Sequence, residues 1–168
     1  MKFLTAVAFC LLLTTSVNGQ VCLGLGNDGK CSGISLDGLA KGERETNGLQ
    51  LCAISDGSSC NGLSVGLLPE ANTNGVVVGL FVGGLGYVGP PENLTGSVNG
   101  LSIGATSSVG TCTGVSIAML NTTKKQRGIS IGIINIAAEL HGLQIGMLNY
   151  VSNNPPWLRY LPLLNAHF

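Results

Sequence analysis

The most constraining feature of this sequence is a repeat of about 14 residues that begins with glycine. Residues 128–151, GISIGIINIAAELHGLQIGMLNYV, contain two successive copies of the pattern Gly-apolar-x-Ile-Gly-apolar-apolar-Asn. The first glycine of each copy serves as an anchor, and the anchors are Gly33, Gly48, Gly62, Gly75, Gly100, Gly114, Gly128 and Gly142. A fixed period over so much of the chain indicates a repeat architecture. The one wide gap, between Gly75 and Gly100, predicts a degenerate extra copy near Gly86.

The residues that follow each anchor alternate in polarity. The second residue is usually Ser or Gln, and the first and third are Leu, Ile or Val, as in Leu101 and Ile103. Alternation with β-branched residues is typical of a strand. We expect the apolar residues to face the core and the Ser/Gln strip to face outward. The glycine at the fourth position would then point outward too, either as a groove for a partner or because a tight coil needs its dihedral freedom.

Two all-β folds fit this period. In a β-solenoid of about eight or nine 14-residue coils, equivalent residues stack about 4.8 Å apart. In an antiparallel meander or small β-barrel, each copy is one strand and a turn. The solenoid explains better why Asn121, Asn135 and Asn149 share one repeat position, because stacked amides form hydrogen-bonded ladders.

The chain divides into four predicted segments. Residues 1–19 are typical of a signal peptide, with Lys2, a short apolar run and a small residue before the cleavage point at Gln20. That run is shorter than the ~20 residues of a membrane span, and a lipid anchor at Cys10 is a less favoured alternative. Cysteine-containing coils follow at 20–61 and glycine-rich repeat coils at 62–151. A capping segment at 152–168 brings Trp157, Tyr160 and Phe168, so aromatic residues are denser there than in the earlier copies.

Composition argues against several classes of function. The chain has 8 basic and 8 acidic residues, so no net charge attracts it to nucleic acid or to anionic membranes. Its acidic residues are scattered, and His141 and His167 have no partner at a catalytic or metal-binding spacing. The GLGNDG motif at 24–29 is not followed by the helix that a dinucleotide site needs. We therefore predict no enzyme activity, no cofactor and no metal site.

Five cysteines follow the predicted signal peptide. Cys22 and Cys31 are nine residues apart and Cys52 and Cys60 are eight apart, so each pair is predicted to form a disulfide across one coil. Cys112 is then a free thiol. The alternatives are a zinc site, which the spacing does not favour, and five small buried residues without a bond. In a eukaryotic host, Asn93 and Asn121 begin glycosylation sequons.

The tandem units over residues 100–168 resemble those of the bacterial surface-repeat proteins. The closing WLRYLPLLNAHF is similar to a terminal unit of that family, which would place Pro162 in the glycine column and Asn165 in the asparagine column. The resemblance implies a secreted or cell-envelope location and no established activity. We expect a structural, adhesive or interaction role, with self-association or surface partners bound through the outward Gly/Ser/Gln strip; an outer-membrane β-barrel is the alternative.

Overall fold

The computed structural model of the protein describes residues 20–24, 29–41, 43–69, 72–83 and 91–168. The predicted signal peptide therefore lies outside the described residues. Strands and two short 3-10 helices make up the structure. In chain order they are β1 Gln20–Gly24, β2 Gly29–Lys41, β3 Arg44–Asp56, β4 Ser59–Leu68, β5 Asn72–Val82, a 3-10 helix Pro91–Asn93, β6 Ser97–Ile131, β7 Ile134–Val151, a 3-10 helix Pro156–Leu158 and β8 Tyr160–His167.

The strands form one sheet in sequence order, and β1 to β7 pair in parallel. The register aligns the repeat copies, since Gly33 pairs with Gly48, Gly48 with Gly62, and Gly128 with Gly142. Strand β6 continues through more than two copies. Parallel neighbours one repeat apart define stacked coils, so the chain is a β-solenoid of about eight turns. The predicted solenoid is confirmed over the antiparallel arrangements.

The wide gap in the repeat does not hold an additional coil. Gly75 pairs directly with Gly100, and the residues on either side of them stay in register. The stretch from Gly75 to Gly100 is thus a single enlarged turn of the solenoid, and the prediction of an extra copy was wrong. Gly86 itself lies outside the described residues.

The anchor glycines are required by the backbone. From Gly48 to Gly142 they have φ between +121° and +143°, a region that residues with a side chain rarely adopt. A Cβ at each of them would overlap the carbonyl oxygen of the anchor in the preceding coil. Glycine therefore recurs because each coil turns sharply here while lying directly against its neighbour.

The polarity of the coil is the reverse of the prediction. The column two residues after each anchor is buried, with exposures of 1% or less, and comprises Ser35, Gln50, Ser64, Val77, Ser102, Ser116, Ser130 and Gln144. The Leu, Ile and Val residues beside them point outward, and Ile117 and Ile131 are each 39% exposed. The Gly/Ser/Gln strip is therefore interior and is not available to partners.

The interior is polar because it is narrow. The opposite wall, nine residues after the anchors, contributes the small buried side chains expected from the sequence: Val109, Thr123, Ala137 and Val151. Between two such walls, short polar side chains can reach each other. The Ser116 hydroxyl donates to Asn121 Oδ1 over 2.6 Å, and the hydroxyls of Ser102 and Ser107 lie 3.2 Å apart. Two columns of Leu and Ile would need a wider coil.

The C-terminal segment reverses direction. Strand β8 pairs antiparallel with β7, with a register shift between Gly146 and Asn149. Leu163 pairs with Gly146 and adopts a φ of +69°. The expected positions of Pro162 in the glycine column and Asn165 in the asparagine column are therefore wrong, because they assumed a further parallel coil. Trp157 and Phe168 are exposed.

Candidate functional site

An asparagine ladder runs through the solenoid interior. The Asn121 amide donates from Nδ2 to Asn135 Oδ1 over 2.8 Å, and Asn135 donates to Asn149 Oδ1 over the same distance. All three side chains are at most 1% exposed. Asn149 then donates to the carbonyl oxygens of Gly146 and Leu161, so the ladder ends on strand β8. The prediction that these three residues stack into a hydrogen-bonded ladder is confirmed.

Asn165 belongs to a different cluster. It lies opposite Gln144, and its Oδ1 accepts a 2.8 Å hydrogen bond from Asn154 Nδ2. Its own amide donates to the carbonyl oxygens of Leu158 and Arg159. Asn165 therefore fixes the turn before β8 and does not extend the ladder.

The glycines at the fourth repeat position make room for this ladder. A Cβ on Gly132 would lie 2.8 Å from Asn121 Nδ2 and 3.1 Å from Asn135 Oδ1. One on Gly146 would likewise crowd the amides of Asn135 and Asn149. These glycines face the interior, so the expectation that they form an outward groove was wrong.

A second asparagine ladder lies on the outside and was missed in the sequence. Asn61 donates to Asn47 over 2.9 Å, Asn74 to Asn61 over 2.8 Å, and Asn99 to Asn74 over 2.7 Å. Each of these residues immediately precedes an anchor, so the Asn-Gly dipeptide that recurs in four copies was the available signal. The ladder borders the outward apolar residues along the N-terminal half of the stack.

Those outward apolar residues form one continuous surface, which we call the outer face. It consists of the first and third residues after each anchor from Gly33 to Gly142. In-register pairing arranges them in two columns, as Ile34, Leu49 and Leu63 show. Eight members are 37–41% exposed: Ile34, Leu51, Leu63, Ile103, Ile117, Ile129, Ile131 and Ile145. Leu164 of β8 pairs with Ile145 and is also exposed.

The cysteines follow the prediction in part. Cys22 and Cys31 are joined by a disulfide, with 6.2 Å between their Cα atoms. Cys52, Cys60 and Cys112 are buried thiols, so the predicted Cys52–Cys60 bond is absent and Cys112 is free as predicted. The two pairs are not equivalent despite their similar spacing. Cys22 pairs with Ser35 and so occupies the second repeat position, whereas Cys52 pairs with Gly66 at the fourth.

Burial suppresses the reactivity of these thiols. Desolvation raises the pKa of Cys112 to about 11, although the nearby Gln126 amide acts in the opposite direction. Desolvation, together with the neighbouring Cys52, likewise raises the pKa of Cys60 to about 11. A thiol is nucleophilic only when ionised, so neither residue is suited to nucleophilic chemistry at neutral pH.

A buried ion pair occupies the N-terminal coils. Arg44 Nη1 contacts Asp37 Oδ1, and the two side chains are 10% and 1% exposed. The Ser35 hydroxyl donates to Asp37 Oδ2 and accepts a 3.3 Å hydrogen bond from Arg44. The sequence analysis did not predict this cluster, because the two charged residues belong to adjacent strands, β2 and β3, and follow no recognisable motif.

The two histidines and the two glycosylation sequons lie in different environments. The rings of His141 and His167 lie 5.9 Å apart, edge to face, and His167 Nδ1 is 2.6 Å from Asn154 Oδ1. The two histidines thus meet where the last coil joins β8. Of the two sequons, Asn93 is exposed, whereas Asn121 is buried in the ladder, where the folded coil has no room for a glycan.

Among the described residues, no three His, Cys, Asp or Glu side chains cluster as metal ligands would. Within the same part of the chain, the structure has no helix with the length and hydrophobicity to cross a membrane. Comparison of the chain with protein-family models, curated proteins and solved structures finds no match.

Proposed function

We propose that the protein is a secreted or cell-surface repeat protein with a structural or adhesive role, that it has no catalytic activity, and that it acts through its outer face. The observation that carries this proposal is the reversed polarity of the solenoid. Ser, Gln and Asn share the interior with small apolar residues such as Val109 and Ala137, while Leu, Ile and Val form two regular columns on the outside.

Such a surface is unusual for a protein that acts alone. Exposed apolar residues are common singly, but a contiguous patch of more than a few hundred Å² marks an interaction site. The outer face extends over the coils from Gly33 to Gly142, and each of its columns follows the strand register. Parallel sheets are normally covered on both faces. A partner that covers this face would complete that arrangement.

The cysteines support the extracellular part of the proposal. Disulfides persist in oxidising compartments and are rare in the cytosol. The Cys22–Cys31 bond lies in the first described coils, immediately after the segment that the sequence analysis interprets as a signal peptide. This argument is independent of the outer face and concerns location alone.

Location is tested by expressing the full chain in its host and fractionating the culture. We expect the protein in the medium or on the cell surface, where added protease degrades it in intact cells. Recovery from the cytosol alone, with Cys22 and Cys31 reduced, would contradict an extracellular role.

Interaction through the outer face is tested by adsorption to an alkyl-coated surface. We expect the double variant Ile117→Lys/Ile131→Lys to adsorb much less than the parent, because both side chains point outward from neighbouring coils of the face. The control is Ile136→Lys, a half-buried residue on the opposite wall, with circular dichroism confirming that all variants are folded. Equal adsorption by the double variant and the parent would show that the outer face is not the interacting surface.

A further inference from the structure

We infer that the partner of the outer face is the outer face of a second copy of this chain, so that two solenoids pair into a closed dimer. This inference rests on the proposed function, since it names the occupant of the same surface. It depends on three features of the described coils: the size of the face, its regular spacing and the distribution of polar and charged groups around it.

The face is large enough for a stable dimer. Each coil from Gly33 to Gly142 contributes two apolar residues, about half of them 37–41% exposed and the others exposed to a smaller degree. Summed over the stack, this is roughly 900 Å² of apolar surface, comparable with the ~800 Å² that each partner buries in a standard protein interface. A shorter patch would permit only transient contacts.

The spacing of the side chains favours a copy of the same chain. Neighbouring coils are one strand spacing apart, about 4.8 Å, so the side chains of each column form evenly spaced ridges. A second solenoid has ridges with the same spacing, and its columns can interdigitate along the full length, as in packed sheets. A globular partner has no such repeat and would match only part of the face.

Face-to-face pairing also ends at two copies. Each chain uses the same patch, so the contact is isologous and closes on itself. At the C-terminal end, the antiparallel β8 carries Leu164 beside Ile145 and extends the same surface. The expected species is therefore a discrete dimer and not a fibre.

The border of the face fits a protein partner better than a lipid surface. The exposed ladder of Asn47, Asn61, Asn74 and Asn99 gives one edge the neutral polar rim that is typical of protein interfaces. The ion pairs Lys30–Glu45 and Lys125–Glu139 are located outside the two apolar columns and are internally compensated. The basic residues that precede Gly128 are Lys124, Lys125 and Arg127, and Lys125 is paired with Glu139. This is fewer than the roughly four to eight basic residues that a site for anionic lipid has.

Sedimentation velocity over a concentration series tests the dimer. We expect the parent chain to sediment as a dimer that dissociates on dilution. Ile117→Lys/Ile131→Lys should weaken association by about a hundred-fold or more, because two unpaired charges per chain would be buried in an apolar contact. Ile136→Lys on the opposite wall should dimerise like the parent.

A monomeric parent at every concentration would overturn the inference, and so would a Lys double variant that dimerises as well as the parent. Flotation with phosphatidylcholine vesicles distinguishes this failure from failure of the proposed function. A monomer that floats with the vesicles through the outer face would retain an interaction role but have lipid as its partner. A monomer that neither floats nor adsorbs to alkyl surfaces would contradict both proposals.

Discussion

Replacing Asn135 by alanine removes the middle of the buried ladder. The substitution deletes the hydrogen bond accepted from Asn121 and those donated to Asn149 Oδ1 and to the Ile145 carbonyl. Asn121 Nδ2 keeps the carbonyls of Ala118 and Ile131 as acceptors. Asn149 Oδ1 loses its donor in a side chain with 0% exposure.

The expected loss of stability follows from the unsatisfied acceptor Asn149 Oδ1 and from the hydrogen bonds that Asn135 no longer makes. A buried unsatisfied acceptor costs about 1–3 kcal/mol and each net hydrogen bond about 1 kcal/mol, so we expect a total loss of ~2–4 kcal/mol. For a chain of this size the melting temperature should fall by roughly 5–12 °C. Chemical denaturation and thermal melting followed by circular dichroism both measure the effect.

The outer ladder provides the matched control. Asn74 accepts from Asn99 and donates to Asn61 with the same geometry, but its side chain is exposed. Water can replace both partners, so Asn74→Ala should cost less than ~1 kcal/mol. Equal melting temperatures for Asn135→Ala and Asn74→Ala would refute the reasoning, because burial would then not determine the strength of the ladder.

Three further predictions concern the anchors, the thiols and the buried ion pair. Gly128→Ala should cost ~3 kcal/mol or more, because a positive φ and an overlap with the Gly114 carbonyl coincide there; Gly38→Ala, with nothing within 4 Å, should be nearly neutral in the same melt. Burial raises the pKa of Cys112 from 9.0 to about 11, so the unfolded thiol ionises first and the free energy of unfolding should fall by up to about 2 kcal/mol as pH rises through that interval. Urea denaturation at several pH values measures this fall. A Cys112→Val variant whose free energy of unfolding falls with pH as steeply as that of the parent would contradict the prediction. Asp37→Asn should cost ~3–5 kcal/mol by leaving the buried Arg44 charge without its carboxylate, and adding Arg44→Met should recover part of that loss; strictly additive losses in the double-mutant cycle would show that the pair is not coupled.

The register of the strands could be predicted well from the sequence, because the length of the repeat determines the register in a solenoid. When each coil is one repeat long, anchors one period apart must pair, as Gly33 and Gly48 do. The asparagine ladder followed for the same reason. The amide side chains of the ladder also need space, which Gly132 and Gly146 leave free. Both features can be read from the sequence, because Asn and Gly recur at fixed positions of the repeat.

Orientation could not be predicted from the same pattern. Alternation specifies that Ser130 and Ile131 lie on opposite sides of a strand, and it does not specify which side is enclosed. In a globular sheet the apolar side is enclosed, and that expectation failed because a 14-residue coil has little interior volume. The Cys52–Cys60 prediction failed for a related reason. The number of residues between two cysteines does not determine whether a cysteine lies at the second or the fourth position of the repeat.

The reversed polarity links the stability of the chain to its interactions. Within one solenoid, hydrogen-bonded columns and close glycine contacts hold the coils together, and the apolar side chains of the outer face gain only part of the stabilisation that full burial provides. The remaining stabilisation becomes available when a partner covers the face. Any partner that binds the folded coils and not the unfolded chain must stabilise them, and more so as its concentration rises above its Kd. For this protein, then, covering the outer face completes the hydrophobic burial that a globular domain achieves within its own core.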